Sequence, residues 1–312
     1  MNEKLKKFGP LLVFIAAMLW ATDAPFRLYL AKGLSPSLIV LAEHAVNILF
    51  ILPFLYAGWA EIKRLGWKDW LSVIFIGVGA SAVATILFTK SFAYVNPSVA
   101  ILLQKLQPLI AIGAAMLVLQ ERPGRRFWLW GIAALLGAYV ISFPDFVPRL
   151  FEGEAWNPNA VGVMFALGAA GLWALGTVFG RFTLARVKFE TLTALRFAVA
   201  FLFLIVLNAK SGVWTAVGNL SVKDILFIVI IALTSGFTSL MIYYKGLSMT
   251  KASIATIAEL GFPFLAVIVN AIFIGVFLEG MQFVGMAILL LAVWQLTKVN
   301  RSQIFIKDEG EI

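Results

Sequence analysis

Apolar residues fall along this chain in ten blocks: 9–30, 36–58, 69–93, 97–119, 126–143, 160–182, 189–209, 223–247, 252–277 and 281–297. A helix needs about 20 such residues to cross the hydrocarbon core of a bilayer, and each block is close to that length. Polar and apolar residues do not alternate within the blocks, so they read as helices and not as the strands of a membrane barrel. Most connections are short and carry turn signals, as in Gly33-Leu34-Ser35-Pro36 and Asn96-Pro97-Ser98. The longest, 144–159, contains Pro144, Pro148 and Pro158 with Asp145, Glu152 and Glu154. It is expected to be an extracytoplasmic linker between a unit at 9–143 and a second at 160–298, followed by a cytoplasmic tail at 299–312. The pattern predicts an all-α polytopic membrane protein. Pro25, Pro53, Pro108 and Pro263 lie inside blocks and are expected to kink them.

Composition agrees with lipid as the solvent. Hydrophobic residues make up 62% and charged residues 13% of the 312 positions, against roughly 45–50% and 25% in soluble domains. Mean hydropathy is +0.95. The first block is full length and lacks an A-x-A-like cleavage site, so it is not expected to be a signal peptide. With no cysteine and one histidine, His44, the chain offers no disulfide, no thiol chemistry and no clustered Cys or His metal centre. No cofactor is implied.

The net charge of +9 finds its explanation in placement. With the N-terminus cytoplasmic, the inner segments hold 16 basic residues: Lys4, Lys6, Lys7, Lys63, Arg64, Lys68, Arg122, Arg125, Arg126, Arg181, Arg186, Lys188, Lys251, Lys298, Arg301 and Lys307. The outer ones hold 5: Arg27, Lys32, Arg149, Lys210 and Lys223. That bias puts both termini in the cytoplasm and the chain in the cytoplasmic membrane. Nucleic acid is not an expected partner, because the basic residues form no single face. Lys4, Lys6 and Lys7 can also meet anionic lipid.

The two units repeat each other. Ala16-Ala17-Met18-Leu19-Trp20-Ala21 recurs as Ala169-Ala170-Gly171-Leu172-Trp173-Ala174, identical at five of six positions. Lys90 and Pro108 are 18 residues apart, as are Lys245 and Pro263, and Pro97-Ser98-Val99-Ala100 aligns with Ala252-Ser253-Ile254-Ala255. Five spans per unit is an odd number, so the second copy enters from the opposite side. That is the inverted-topology repeat of secondary transporters.

On these residues the chain resembles the EamA-type carriers of the drug/metabolite transporter superfamily. The likeness rests on the Leu-Trp-Ala start of each unit, on Arg196-Phe197, on Pro108 and Pro263, and on Glu121 and Glu279 after the fourth and ninth blocks. Span two departs from it, with Glu43-His44 where the second copy has Leu195-Arg196. The resemblance implies ten helices in two inverted five-helix repeats. It also implies transport of a small metabolite, often export of amino acids or related compounds.

Polar side chains at membrane depth mark the expected pathway, since an ionisable group there costs at least about 2.5–3.5 kcal/mol. Trp20, Asp23 and Arg27 share one helix face. Glu43, His44, Asn47, Lys90, Gln104, Lys105 and Gln107 complete the outer cluster. Arg196, Lys245 and Glu259 form an inner one, with Tyr243 and the mid-span Trp173 beside them. His44 is the expected proton-sensitive member, and protons are the candidate coupling ion. The bland readings are snorkelling by Arg27, Lys90 and Lys245, a satisfied interior His44, and structural pairing of Asp23 or Glu43 with Lys90 or Lys105. Gly77, Gly79, Gly168, Gly171 and Gly176 are expected to allow close helix contact. An alternating-access carrier, monomeric or homodimeric, is the leading reading. The rivals are a channel-like facilitator, for which no filter-like loop is visible, and a membrane enzyme. Against the enzyme, the chain has no phosphate loop and no His-Glu-x-x-His signature.

Overall fold

The computed structural model describes residues 8–91, 94, 103–104, 106–143, 145–146, 160–209, 217–274 and 279–309, and every regular element among them is helical. Seven stretches are long and apolar enough to cross a membrane: Gly9–Arg27, Pro36–Ala57, Trp67–Ser91, Val161–Thr183, Phe189–Asn208, Val222–Ser248 and Gly280–Val299. The fourth and ninth expected spans appear as the shorter apolar stretches Gln107–Val118 and Ala252–Ala266, and the fifth as the helix Arg125–Ser142. Residues 97–102 and 105 of the fourth block and most of the 144–159 linker lie outside the described residues.

Several spans are built from more than one piece, and prolines account for the breaks in the first and ninth. In the first, α1 (Gly9–Trp20) passes through a 3-10 turn, Ala21–Asp23, into α2 (Ala24–Leu30), whose first turn holds Pro25. Proline supplies no N–H to the preceding turn and clashes with it, so the α-helix restarts there. The second span is the continuous α3 (Pro36–Ala57), which accommodates Pro53 in its interior; the short α4 (Trp59–Ile62) follows. The third runs as α5 (Trp67–Ile74), a π-helical segment Phe75–Val83, and α6 (Ala84–Ser91). Helix α7 (Gln107–Val118) opens on Pro108, and α8 is Arg125–Ser142.

In the second half, α9 (Ala160–Thr183) and α10 (Phe189–Asn208) are unbroken. The eighth span repeats the pattern of the third: α11 (Val222–Ile231), a π-helical segment Ala232–Thr238, and α12 (Ser239–Ser248). The ninth breaks at Glu259-Leu260 between α13 (Ala252–Ala258) and α14 (Gly261–Ile274), just ahead of Pro263. Helix α15 is Gly280–Glu309.

Packing is nearly closed under exchange of the halves. Helix α3 packs on α10, α8 on α15 and α7 on α13; α1 on α12 is answered by α6 on α9, and α14 on α1 by α7 on α9. At the α8–α15 crossing the glycines are reciprocal. A Cβ on Gly137 would stand 2.9 Å from the Gly285 carbonyl oxygen, and one on Gly285 would stand 2.8 Å from that of Gly137. Backbone cannot yield there as a side chain can, so Gly137→Ala should destabilise by at least the about 1–3 kcal/mol usual for overpacking. A thermal melt in detergent equal to wild type would contradict that contact. Gly176 is equally tight against Ala80, whereas Gly171, expected to pack closely, has open space beside it.

Side chains follow the solvent expected of a bilayer: Leu49 (70%), Leu117 (77%) and Val206 (74%) are exposed, while Thr193 and Thr256 are fully buried (0%). At one end of the bundle the halves are tied by polar bonds. Glu61 accepts hydrogen bonds from the Lys188 backbone N–H and from Thr191 Oγ1, both at 2.9 Å, and Arg186 pairs with Asp69 at 3.1 Å. Burial alone would push the Glu61 pKa up, but those two bonds and the Lys188 charge outweigh it and hold the carboxyl below its usual range. Its contribution is therefore complete above the ordinary carboxylate pKa and lost as pH falls through the lowered one. Melting curves across pH should show wild type stabler than Glu61→Gln near neutrality, with the difference shrinking on acidification; a pH-independent difference would refute the linkage.

Candidate functional site

Glu259 sits in the break between α13 and α14, where the chain turns and a side chain can reach across to neighbouring spans. Its Oε1 accepts from Tyr243 Oη at 2.8 Å and Thr177 Oγ1 at 3.1 Å; its Oε2 accepts from Gln107 Nε2 at 2.7 Å. Tyr243 Oη and Thr177 Oγ1 also stand 2.8 Å apart. Four spans thus converge on one carboxylate: α7, α9, α12 and the α13–α14 break. A small cavity of about 40 Å³ opens beside it, lined by Gln104, Gln107, Pro108, Thr256, Glu259 and Pro263. Both prolines and both polar residues ahead of them, Gln104 and Glu259, are related by the repeat. Thr256 Oγ1 is buried and has no hydrogen-bond partner among the described residues.

Aromatic pairs flank this centre in matching fashion. Trp20 lies 5.3 Å from Tyr243, and Trp173 lies 5.2 Å from Phe88, ring centre to ring centre. Next to Tyr243 stands Tyr244, whose Oη accepts from Arg196 Nη1 at 2.9 Å. Arg196 Nε donates to Ser81 Oγ at 2.8 Å, within the first π-helical segment. Among the described residues the Arg196 guanidinium meets neutral oxygens and the Tyr244 ring, and no carboxylate within ion-pair distance.

A second polar cluster lies nearer the other end. Arg27 bridges Asp23 at 2.9 Å and Glu43 at 3.0 Å, and Ser235 Oγ of the second π-helical segment donates to Asp23 at 3.3 Å. This corrects two expectations. Arg27 does not snorkel, since only 19% of its side chain is exposed, and the carboxylates pair with it and not with Lys90. An arginine four residues after Asp23 on the same face reaches it without leaving the helix. Lys90 is exposed at the end of α6, and Lys245 is exposed with its ammonium 5.9 Å from the Phe189 ring; neither joins a cluster among the described residues. Lys105 lies outside the described residues.

His44 is buried; its Nδ1 is 2.8 Å from the Val40 carbonyl, and its ring packs edge-on to Phe197 at 5.5 Å. Asn47 is buried against Gly236. Neither lines the cavity. Of the expected residues, the structure brings Trp20, Gln104, Gln107, Tyr243 and Glu259 to one centre, with Arg196 linked through Tyr244. Sequence reading missed Thr177, Thr256, Tyr244, Ser81 and Ser235. Thr177, one turn after Trp173, carried a positional signal; the others carried none.

A multi-span helical membrane protein with a buried polar centre at broken helices has the form of a transporter. The EamA-like transporter family matches residues 7–143 and again 160–297, and the chain belongs to that family, within the drug/metabolite transporter superfamily. The riboflavin transporter ImpX of Fusobacterium nucleatum is 30% identical over 94% of this chain and 98% of its own. The uncharacterized transporter YwfM of Bacillus subtilis is 23% identical over 94% and 95%. A solved crystal structure shares the fold with a TM-score of 0.70, at 17% identity over 95% of this chain and 98% of that one.

Proposed function

We propose that the chain is a secondary carrier that moves a small metabolite across the cytoplasmic membrane by alternating access, outward as the working direction. The observation that carries this reading is the Glu259 centre, where a hydrogen-bonding cavity lies between the start of α7 in one half and the α13–α14 break in the other. A cavity of about 40 Å³ is far below the roughly 300–1,000 Å³ of a ligand pocket, so cargo enters only when the helices part. The halves are inverted five-helix repeats, each crossing the membrane five times, with both termini cytoplasmic. Supporting that arrangement, Glu61 with Lys188, Asp69 with Arg186, and Arg181 with Thr250 all join segments that the basic-residue count assigns to the cytoplasm.

Riboflavin is the cargo we put first. The ImpX relative bears that name, and the paired rings of Trp20–Tyr243 and Trp173–Phe88 offer faces on which a planar heterocycle can stack. An amino-acid-like cargo is the second reading, favoured by Arg196, whose charge is free to meet a substrate carboxylate.

Counterflow in proteoliposomes tests both. Vesicles loaded with unlabelled riboflavin should accumulate labelled riboflavin several-fold over empty ones, because only a carrier is accelerated by cargo on the far side. Equal uptake by loaded and empty vesicles would favour the facilitator. Acceleration by a mixture of amino acids alone would shift the cargo to the second reading.

A further inference from the structure

Three carboxylates stand at membrane depth among the described residues, and they differ in what balances their charge. Asp23 and Glu43 share Arg27. A proton added to either would break one of the two ion pairs that Arg27 makes, although the other carboxylate would still balance the guanidinium charge. Glu259 has no cation within ion-pair distance among the described residues; Tyr243, Thr177 and Gln107, all neutral, are its partners. It can gain or lose a proton without breaking an ion pair. It also borders the cavity, so a proton has a route to it.

Neighbouring groups are few. Helix α12 presents Tyr243 and Tyr244, and α10 presents Arg196, held off by the Tyr244 hydroxyl. Helix α9 presents Thr177 and, a turn further on, Arg181, which is engaged with the Thr250 carbonyl. Helix α7 presents Gln107, and α1 presents Trp20 behind Tyr243.

Proton uptake has a mechanical consequence. An ionised carboxylate accepts on both oxygens, which fits the contacts from Tyr243, Thr177 and Gln107. A proton on Oε2 makes that oxygen a donor and a poorer acceptor for the Gln107 amide N–H, so the bond weakens or the amide turns over. Thr256 Oγ1, buried and without a hydrogen-bond partner among the described residues, lines the same cavity. The Gln107–Glu259 bond joins α7 to the α13–α14 break, so weakening it loosens the two halves at that contact.

We propose that Glu259 is the proton-binding site of the carrier, and that cargo and proton compete for its oxygens, so the two are exchanged across the membrane. This rests on the carrier reading. It places the titrating group at Glu259 and not at His44, which lies outside the cavity.

The test uses the full chain in liposomes. In a ligand-free infrared pH titration, wild type should show, apart from the absorption of its water-exposed carboxyls, a separate carbonyl stretch of a buried protonated carboxyl growing as pH falls. That band should vanish in Glu259→Gln and persist in Glu43→Gln. With riboflavin inside, an acid-outside gradient should speed efflux several-fold over the same vesicles without a gradient. The ratio should fall to unity in Glu259→Gln and recover in Glu259→Asp, each variant checked by melting. A band or a ratio unaltered in Glu259→Gln would overturn the proposal. If wild-type vesicles move no riboflavin, the cargo reading fails, and the infrared band alone decides the proton site.

Discussion

Arg27→Gln should destabilise the protein by about 3–5 kcal/mol, the penalty for stranding buried charge when one partner of an ion pair is removed. The variant leaves Asp23 and Glu43 beside each other with no cation, in a pocket where the Glu43 side chain is only 9% exposed. The loss reaches three spans at once. Arg27 lies on α2, Glu43 on α3, and Asp23 also receives Ser235 from the eighth span. A triple variant, Asp23→Asn with Arg27→Gln and Glu43→Gln, should regain most of the melting temperature, because neutral amides can hydrogen-bond one another and no charge is left to desolvate. That recovery separates charge stranding from lost packing. Wild-type stability in Arg27→Gln, or a triple variant as unstable as the single one, would show that the cluster is not an ion-paired latch.

That cluster also shows where sequence reading stops. The helices were legible because apolar length and proline position act locally: Pro25, Pro108 and Pro263 each stand at the start of a restarted helix. Pro53 is the exception, carried inside α3. The two π-helical segments were not legible. Gly77, Gly79 and Gly236 mark them only weakly, and what holds them is contact with other spans, as between Gly77 and Val199.

Partner choice is equally non-local. Asp23 and Glu43 plainly needed a cation, but Lys90, nearer a span end, lies exposed while Arg27 turns inward. Glu259 stood out as a charge in an apolar run; its partners come from 16, 82 and 152 residues away, distances no periodicity reports. The aromatic pairs fall between these cases. Repeat register predicted that Trp20 and Trp173 correspond, and the structure adds that each meets a ring from the opposite half.

Glu121→Ala should disrupt the same centre from a distance. Helix α13 begins at Ala252, and its first N–H groups have no partner within the helix. Water does not reach Ala252 and Ser253, which are 0% and 1% exposed. Glu121 supplies the acceptors: its carboxylate takes the Ala252 N–H at 2.7 Å, the Ser253 N–H at 3.0 Å and the Ser253 hydroxyl at 2.5 Å. Chain direction makes this possible, because Gln120, with φ at 54°, turns the backbone after α7 and aims Glu121 at its neighbour. Hydrogen bonds to a charged group contribute roughly 1.5–3 kcal/mol each, not additively, so losing all three should cost on the order of 3 kcal/mol. Glu121→Gln keeps one acceptor oxygen and should lose about a third to a half of that amount. Because α13 leads directly into Glu259, the alanine variant should also weaken counterflow before it unfolds, whereas Glu61→Gln, at the same end but on another contact, should not. Melting and counterflow measured together decide it. An alanine variant with wild-type melting would mean that the α13 N-terminus is satisfied by some other group.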